Sequence, residues 1–245
     1  MHHRQTLLPR EAIVKLRASK IREVANAGIG RADVLTFWFG EPDEVTPEFI
    51  RAAAVDSLGR GETFYSHNLG LPELRETVAS YLSRLHPNPA APIVVADNIA
   101  ITSAGVNALS LAAQCIVSPG DRVVCVTPLW PNLVEIPKIL SANVECVSLE
   151  FGERGWQLDL DKLLSALTSD TKMLMVNSPN NPTGWTLTRD EQKAILARCR
   201  QHGIWILADD AYERLVFDDS GCAPSFFDLS DGHDRLVSAN TFSKS

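Results

Sequence analysis

The feature that most constrains this chain is a repeated alternation of short apolar runs and helical stretches between residues 99 and 239. Short apolar runs bounded by turn residues predict strands, and the stretches between them predict helices. Strands that alternate with helices form βαβ units and a mostly parallel sheet. The predicted strands are Ile99–Thr102, Arg122–Val126, Val144–Leu149, Lys172–Asn177, Ile204–Ala208 and Leu236–Ala239.

The predicted helices lie between these strands, and the last of them carries clear end signals. Thr188 and Glu191 form a capping-box pattern, and Gly203 stands where a helix commonly ends. The uninterrupted apolar run 173–176 is typical of a strand buried on both faces. We therefore expect an α/β fold with three layers, α/β/α, around a mostly parallel sheet. The predicted helices are Val106–Val117, Pro131–Leu140, Leu160–Ala166 and Arg189–His202.

The residues before this alternation follow a different pattern. Arg10–Ala27 has helical spacing of its apolar residues, and two further helices are expected, from Pro47 to Gly59 and from Pro72 to about Leu85. We divide the chain into an N-terminal segment, residues 1–44, and a larger α/β domain, residues 45–245.

Composition excludes several classes of protein. Hydrophobic residues make up 45% of the chain and charged residues 22%, which is typical of a globular domain and excludes a disordered one. A net charge of −7 argues against a nucleic-acid partner, and no run of 18 apolar residues is present to span a membrane. Five widely spaced cysteines without a C-x-x-C pattern indicate neither a disulfide framework nor a metal site, and favour a reducing, cytoplasmic compartment. Cys125 and Cys146 lie in apolar runs and are expected to be buried.

Residues directly after the predicted strands are the candidates for a site, because open parallel sheets bind ligands at the carboxyl ends of their strands. Ala104, Gly105 and Val106 follow the first strand as a small-residue turn at a helix start. Such a turn suits a phosphate, but it also suits a plain tight connection. Trp130 follows the second strand, where it would stack on a flat ligand or pack in the core.

Polar groups follow the later strands. The segment Asn177–Gly184 (N-S-P-N-N-P-T-G) comes after the fourth strand, and the alternative interpretation is an elaborate turn with Asx bonding. Asp209–Tyr212 (D-D-A-Y) follows the fifth, where the acid needs a cationic partner unless it only caps a helix. Thr241–Lys244 follows the sixth, where the lysine is otherwise a solvated charge. Together these groups match the needs of pyridoxal 5′-phosphate: a lysine for the Schiff base, an acid for the pyridine nitrogen, and hydroxyls and amides for the phosphate.

These motifs give the sequence a strong resemblance to the class I/II aminotransferases, a family of fold-type I pyridoxal-phosphate enzymes. The most specific motif is Asn177–Gly184, and Asp209–Tyr212 and Thr241–Lys244 follow it in the order of the family. Phe39–Asp43 and the pattern Tyr65…Gly70…Leu74-Arg75 also fit. The resemblance covers the chain from about Val34 onward.

The resemblance implies catalytic roles for Lys244, Asp209 and Tyr212. Lys244 would carry the cofactor as an aldimine and move a proton between substrate and cofactor. Asp209 would pair with the pyridinium nitrogen, and Trp130 would stack on the ring. Asn181 and Tyr212 would hydrogen-bond the phenolic oxygen of the cofactor, with Asn181 also facing the substrate.

The resemblance also implies how phosphate would be held. The backbone of Ala104, Gly105 and Val106 and the hydroxyls of Thr241 and Ser243 would surround it. Ala104 departs from the glycine of many relatives, a mild change because only its backbone amide is required.

Substrate and subunit contacts are implied as well. Gly40 would lie beside the substrate carboxylate, and Tyr65 would reach the phosphate of a neighbouring subunit, which implies a homodimer. An amino acid and a 2-oxo acid would be the substrates. No metal, nucleic acid or membrane partner is expected.

The end of the chain departs from the family pattern. The family continues beyond its lysine with a phosphate-binding arginine, an antiparallel strand between the first and sixth strands, and a C-terminal small domain with the arginine that holds the substrate carboxylate. We therefore expect a chain truncated just after Lys244, in which residues 1–44 lack the small domain that they would pack on.

Three functions follow as hypotheses. The first is an aminotransferase, the second a C–S lyase on the same scaffold, and the third a truncated, catalytically incompetent fragment that binds cofactor. Trp38 and Phe39 near the predicted site indicate either an apolar substrate pocket or plain core packing.

Overall fold

A computed structural model describes residues 8–88 and 94–244 of the chain. The first seven residues of the predicted N-terminal segment and Ser245 lie outside these ranges. The helices are α1 (Glu11–Val14), α2 (Lys20–Gly28), α3 (Glu48–Gly59), α4 (Pro72–Leu85), α5 (Gly105–Ile116), α6 (Asn132–Ile139), α7 (Leu160–Ala166) and α8 (Arg189–His202). The strands are β1 (Arg122–Thr127), β2 (Asn143–Ser148), β3 (Glu150–Gly152), β4 (Gly155–Gln157), β5 (Thr171–Asn177), β6 (Trp205–Asp209) and β7 (Leu236–Ala239).

The core of the fold is a five-stranded sheet in the order β2-β1-β5-β6-β7, and every pair in it is parallel. The register places Asn177, Asp209 and Ala239 side by side at the carboxyl ends of β5, β6 and β7. Three strands that carry candidate site segments therefore end at one edge of the sheet.

Successive residues of the strands point to opposite faces, and helices cover both faces. Even-numbered residues of β1, β5 and β6, such as Val124, Leu174 and Ile206, pack in one cluster with residues of α7 and α8. Odd-numbered residues such as Cys125 and Met173 pack in a second cluster with residues of α5 and α6. The predicted three-layer α/β/α architecture is confirmed.

The predicted strand Ile99–Thr102 is wrong. These residues are extended at Ile99 but form no ladder within the described part of the chain. The amide of Ile101 donates to Leu69 O at 2.8 Å, and Leu69 lies in a loop and not in a strand. An apolar run becomes a strand only when another strand offers it a ladder, and β7 forms its ladder with β6.

Three smaller differences concern local structure. Arg10–Ala27 is not one helix but two, and the hydroxyl of Ser19 starts the second by accepting from Arg22 N. Cys146 is exposed, contrary to prediction, because β2 is an end strand that presents one face outward. The antiparallel hairpin of β3 and β4 was not predicted, since its three-residue strands are too short for a periodic signal. No helix among the described residues is long and apolar enough to cross a membrane.

Helix α4 is fastened to the segment that leads into the site by one buried arginine. Arg75 is only 6% exposed. Its guanidinium donates to Ala96 O (2.8 Å from Nη2) and to Ile99 O (2.9 Å from Nε). Since residues 96–99 precede the turn at Ala104, Arg75 fixes the approach of the chain to the carboxyl edge of the sheet.

We predict that Arg75→Met lowers the free energy of unfolding by about 2–3 kcal/mol, because two partly buried carbonyls lose their charged donor. Chemical denaturation measures the loss. The matched control is Arg51→Met, which removes an exposed arginine paired with Glu48 and is expected to cost less than about 1 kcal/mol. Equal losses in the two variants would contradict this account of Arg75.

Candidate active site

Segments from five parts of the chain meet at the carboxyl edge of the sheet. The side chain of Asn181, after β5, donates to Tyr212, after β6. Lys244, after β7, donates to the backbone carbonyl of Gly40 from the N-terminal segment. A Cβ built on Gly105 would lie 3.3 Å from Thr241 Cβ, so the start of α5 packs closely on the segment after β7.

Asp209 supplies a buried carboxylate at this edge. The residue is 7% exposed, and its Oδ1 accepts from Ala211 N at 3.2 Å. Burial raises the pKa of Asp209 to about 6, and the Ala211 amide opposes the rise only in part. A cation placed against this carboxylate would remove the cost of burying its charge.

An amide and a phenol are fixed beside Asp209 by a short chain of hydrogen bonds. Asn177 Nδ2 donates to Asp209 O at 2.9 Å, and Asn177 Oδ1 accepts from Asn181 N at 2.7 Å. Asn181 Nδ2 then donates to Tyr212 Oη at 3.3 Å. Asn177 thus ties the loop after β5 to the end of β6 and holds the Asn181 backbone in place.

Tyr212 stands between the acid and the N-terminal segment. Burial and the charge of Asp209 raise the pKa of the Tyr212 phenol, and the Asn181 hydrogen bond works against them. A Cβ on Gly40 would lie 3.1 Å from Tyr212 Oη, which is tighter than ordinary contact. Glycine at position 40 therefore lets the phenol and Lys244 approach the same stretch of backbone.

The start of α5 has the properties of an anion site. Ala104 is the N-cap residue and places no side chain on the free amides, and the first turn of the helix carries no acid. Unpaired amides and the helix dipole favour a negative group there. Thr241 Oγ1 lies 2.8 Å from Ser243 Oγ, so two hydroxyls accompany this helix start. Val106 is part of the same first turn and is exposed.

Two predicted site residues are placed differently. Trp130 is half-buried and packs against the α5–α6 side of the core, so the alternative of core packing holds for much of its surface. Tyr65 is fully exposed, and the described residues do not bring it into the cluster. Its predicted contact is with a second subunit, which a single chain does not test.

The residues present fit pyridoxal phosphate. The buried Asp209 carboxylate suits a pyridinium N–H, and the α5 start with Thr241 and Ser243 suits a phosphate. Lys244 supplies an amine at the same edge.

Sequence reasoning missed the roles of two supporting residues. Asn177 lies inside the motif Asn177–Gly184. The motif alone did not distinguish the structural role of Asn177 from the cofactor-binding role that the resemblance implies for Asn181. His86 contacts Glu213 and Asp228 across 127 and 142 residues. No spacing pattern could have signalled those contacts.

Comparison with known proteins agrees with this arrangement. The family described as "Aminotransferase class I and II" matches residues 32–245. An aspartate aminotransferase of Pyrococcus horikoshii is 31% identical over 234 residues, which cover 96% of this chain and 58% of the relative. A probable aspartate/prephenate aminotransferase of Aquifex aeolicus is 34% identical over 229 residues, covering 93% and 56%. The chain therefore spans little more than half the length of these relatives.

Solved structures give the same result. The crystal structure of an aspartate aminotransferase from Thermotoga maritima superposes with a TM-score of 0.86 at 30% identity, covering 96% of this chain and 62% of that one. Enzymes of the matched family use pyridoxal 5′-phosphate as cofactor. With the family matched from residue 32 to residue 245 and relatives above 30% identity, this chain belongs to the class I and II aminotransferases.

Proposed function

We propose that this chain forms the cofactor-binding part of a pyridoxal-phosphate aminotransferase that passes an amino group between an amino acid and a 2-oxo acid. The observation that carries the proposal is the buried carboxylate of Asp209, braced beside Asn181 and Tyr212. A buried acid without a cation is costly, and a protonated pyridine ring is the partner that this edge suits.

Each group of the site has a task in this proposal. When bound, pyridoxal phosphate supplies an aldehyde that condenses with amines and a ring that withdraws electrons from the substrate Cα. Asp209 holds a proton at the pyridine nitrogen, and Asn181 and Tyr212 donate to the phenolic oxygen. Lys244 holds the cofactor through Nζ and carries the proton that leaves or returns to the substrate Cα. Trp130 would stack on the ring.

The start of α5 and the segment after β7, which pack against each other, provide the groups that bind phosphate in this proposal. The amides of residues 104–106 and the hydroxyls of Thr241 and Ser243 bind its oxygens, because a helix start and neutral hydroxyls satisfy a dianion without competing charge. Gly40 lies beside the substrate carboxylate in this proposal. Tyr65, whose ring is exposed, completes the site of a second copy in a homodimer.

Aspartate is the first amino donor to test, since the relatives described above are named for it. A reducing, cytoplasmic location remains a prediction supported by five unpaired cysteines. The share of the relatives' length that the chain spans supports a second candidate. In this second candidate the 245-residue chain binds cofactor but does not catalyse transamination.

We predict that the chain mixed with pyridoxal phosphate develops a visible absorption band, and that borohydride reduction fixes the cofactor on Lys244. Peptide mass spectrometry locates the adduct. Lys244→Ala is expected to lose the band, whereas Lys193→Ala, which removes an exposed lysine paired with Asp190, is expected to keep it. A band of equal strength in Lys244→Ala would contradict the assignment. An activity assay with aspartate and 2-oxoglutarate then separates an active aminotransferase from the second candidate. An assay with cystathionine tests for a C–S lyase.

We predict that Asp209→Asn stabilises the cofactor-free chain at pH 8 by about 1–3 kcal/mol. The folded-state pKa of Asp209 is raised to about 6, so its ionisation costs stability as pH rises from about 4 to above 6, and a neutral amide avoids that cost. At pH 4 the acid is protonated in the folded state, and the two proteins should differ little. Urea unfolding at both pH values measures the difference.

The control for this substitution is Asp219→Asn at an exposed acid, which should change stability little at either pH. Added pyridoxal phosphate should stabilise the wild type more than Asp209→Asn, because ligand binding stabilises the folded state in proportion to affinity. Equal stabilisation of both by the cofactor would contradict the role of Asp209.

A further inference from the structure

The turn that presents Asp209 and Tyr212 continues into a second group of buried charges, centred on His86 at the end of α4. The His86 side chain is 3% exposed. Its Nε2 lies 3.3 Å from Glu213 Oε2 and its Nδ1 lies 3.2 Å from Asp228 Oδ1. Those two carboxylate side chains are only 7% and 10% exposed. Because ionised carboxylates only accept hydrogen bonds, both ring nitrogens must donate, and His86 is an imidazolium in this arrangement.

The surrounding charges make this imidazolium necessary. Asp210 is buried near Glu213 and accepts a hydrogen bond from the Ser238 hydroxyl. Burial raises the pKa of Asp210 to about 7, the charges of Glu213 and Asp209 add to the rise, and the Ser238 hydrogen bond and the His86 charge oppose it. Burial alone would lower the pKa of His86, but the hydrogen bonds and charges of Asp228 and Glu213 raise it to about 9. The titratable or charged residues that face this group are Tyr81, Arg189, Asp210, Glu213, Arg214, Cys222 and Asp228. Arg189 and Arg214 are exposed, so His86 is the buried cation among them.

Glu213 links this group to the candidate active site. It follows Tyr212 directly, and its amide donates to Asp210 O at 3.0 Å, which closes the turn after β6. Its carbonyl accepts from Ala223 N at 2.8 Å. A displacement of the Glu213 side chain therefore acts on a short, closed turn that carries the phenol of Tyr212 and directly follows Asp209.

We propose that His86 is a positioning residue, whose positive charge holds Glu213 and thereby fixes the turn that presents Asp209 and Tyr212. The expected effect of His86 on cofactor affinity rests on the proposed function. The expected effect of His86 on the turn does not depend on that function, because the contacts lie within the chain. Helix α4 then supports the site at two points. Arg75 holds the segment before Ala104, and His86, at the end of the helix, holds the turn after β6.

The sign of the pH effect follows from the raised pKa. A histidine whose folded-state pKa is about 9 against an ordinary value near 6.5 stabilises fully below about pH 6.5. That stabilisation is lost as pH rises through about 9. Above that pH, Glu213 and Asp210 remain buried beside a neutral ring, and the turn should loosen.

Hydrogen exchange followed by mass spectrometry tests the turn in the cofactor-free 245-residue chain at pH 7. His86→Gln keeps a polar side chain that can donate to one carboxylate but carries no charge. We expect amide exchange at Glu213, Leu215 and Ala223 to become at least about tenfold faster, with no change in β1. His202→Gln, at the end of α8, is the matched histidine control and should leave both regions unchanged.

Cofactor titration tests the consequence for the site. Between pH 7 and pH 10 the dissociation constant of pyridoxal phosphate should rise in the wild type and in His202→Gln. The factor of that rise should be about ten times larger than in His86→Gln. His86→Gln should already bind weakly at pH 7. This comparison between variants removes the pH dependence that belongs to the cofactor itself.

Distinct outcomes would overturn the proposal. Unchanged exchange in His86→Gln would show that the charge does not hold the turn, and faster exchange with unchanged cofactor affinity and pH profile would show a purely structural role. A wild type that takes up no cofactor would contradict the proposed function, while exchange would still decide whether His86 holds the turn.

Two measurements that do not need His86→Gln test the proposal if this variant fails to fold. Nuclear magnetic resonance should give His86 a pKa near 9, and an ordinary value near 6.5 would overturn the proposal. Polar atoms of His86, Glu213 and Cys222 lie within 4.8 Å of one another. One equivalent of zinc retained by the wild type but not by Cys222→Ser would also overturn it, because a metal-bound imidazole carries no added proton.

Discussion

The carboxylate of Asp209 is the constraint around which the rest of this site is arranged. It ends a strand whose neighbours on both sides are parallel and whose faces are covered by helices, so it has little access to water. An acid in such a place is stable only with partners, and the chain itself supplies an amide from Ala211. The carboxyl edge of the sheet therefore holds a charge for which a cationic ring is the fitting ligand.

Two kinds of support keep that edge in place. The parallel register aligns Asn177, Asp209 and Ala239, and Asn177 then joins the loop after β5 to the end of β6. Helix α4 provides the second support, because Arg75 fastens the segment before Ala104. Backbone order at one edge and buried side-chain charge near it together explain how the end of β6 and the turn after it present an acid and a phenol.

Most of the order of strands and helices and the residues after the strand ends were predictable, because period, capping and motif all depend on residues close in sequence. The strand at Ile99–Thr102 was mispredicted because a ladder depends on a distant partner that local pattern does not reveal. Cys146 was misplaced because a run of apolar residues does not say whether its strand ends the sheet. The His86 contacts were invisible for the same physical reason, since they join residues more than 120 positions apart.

The most direct measurement of the central claim is the pKa of Asp209, followed by carboxyl carbon resonance in the free chain and with pyridoxal phosphate. Asp209→Asn assigns the signal. The account predicts a value near 6 in the free chain, as burial dictates, and a fall to well below 4 when a cationic ring is bound against it. An ordinary pKa near 4 in the free chain, or a value that the cofactor leaves unchanged, would contradict it.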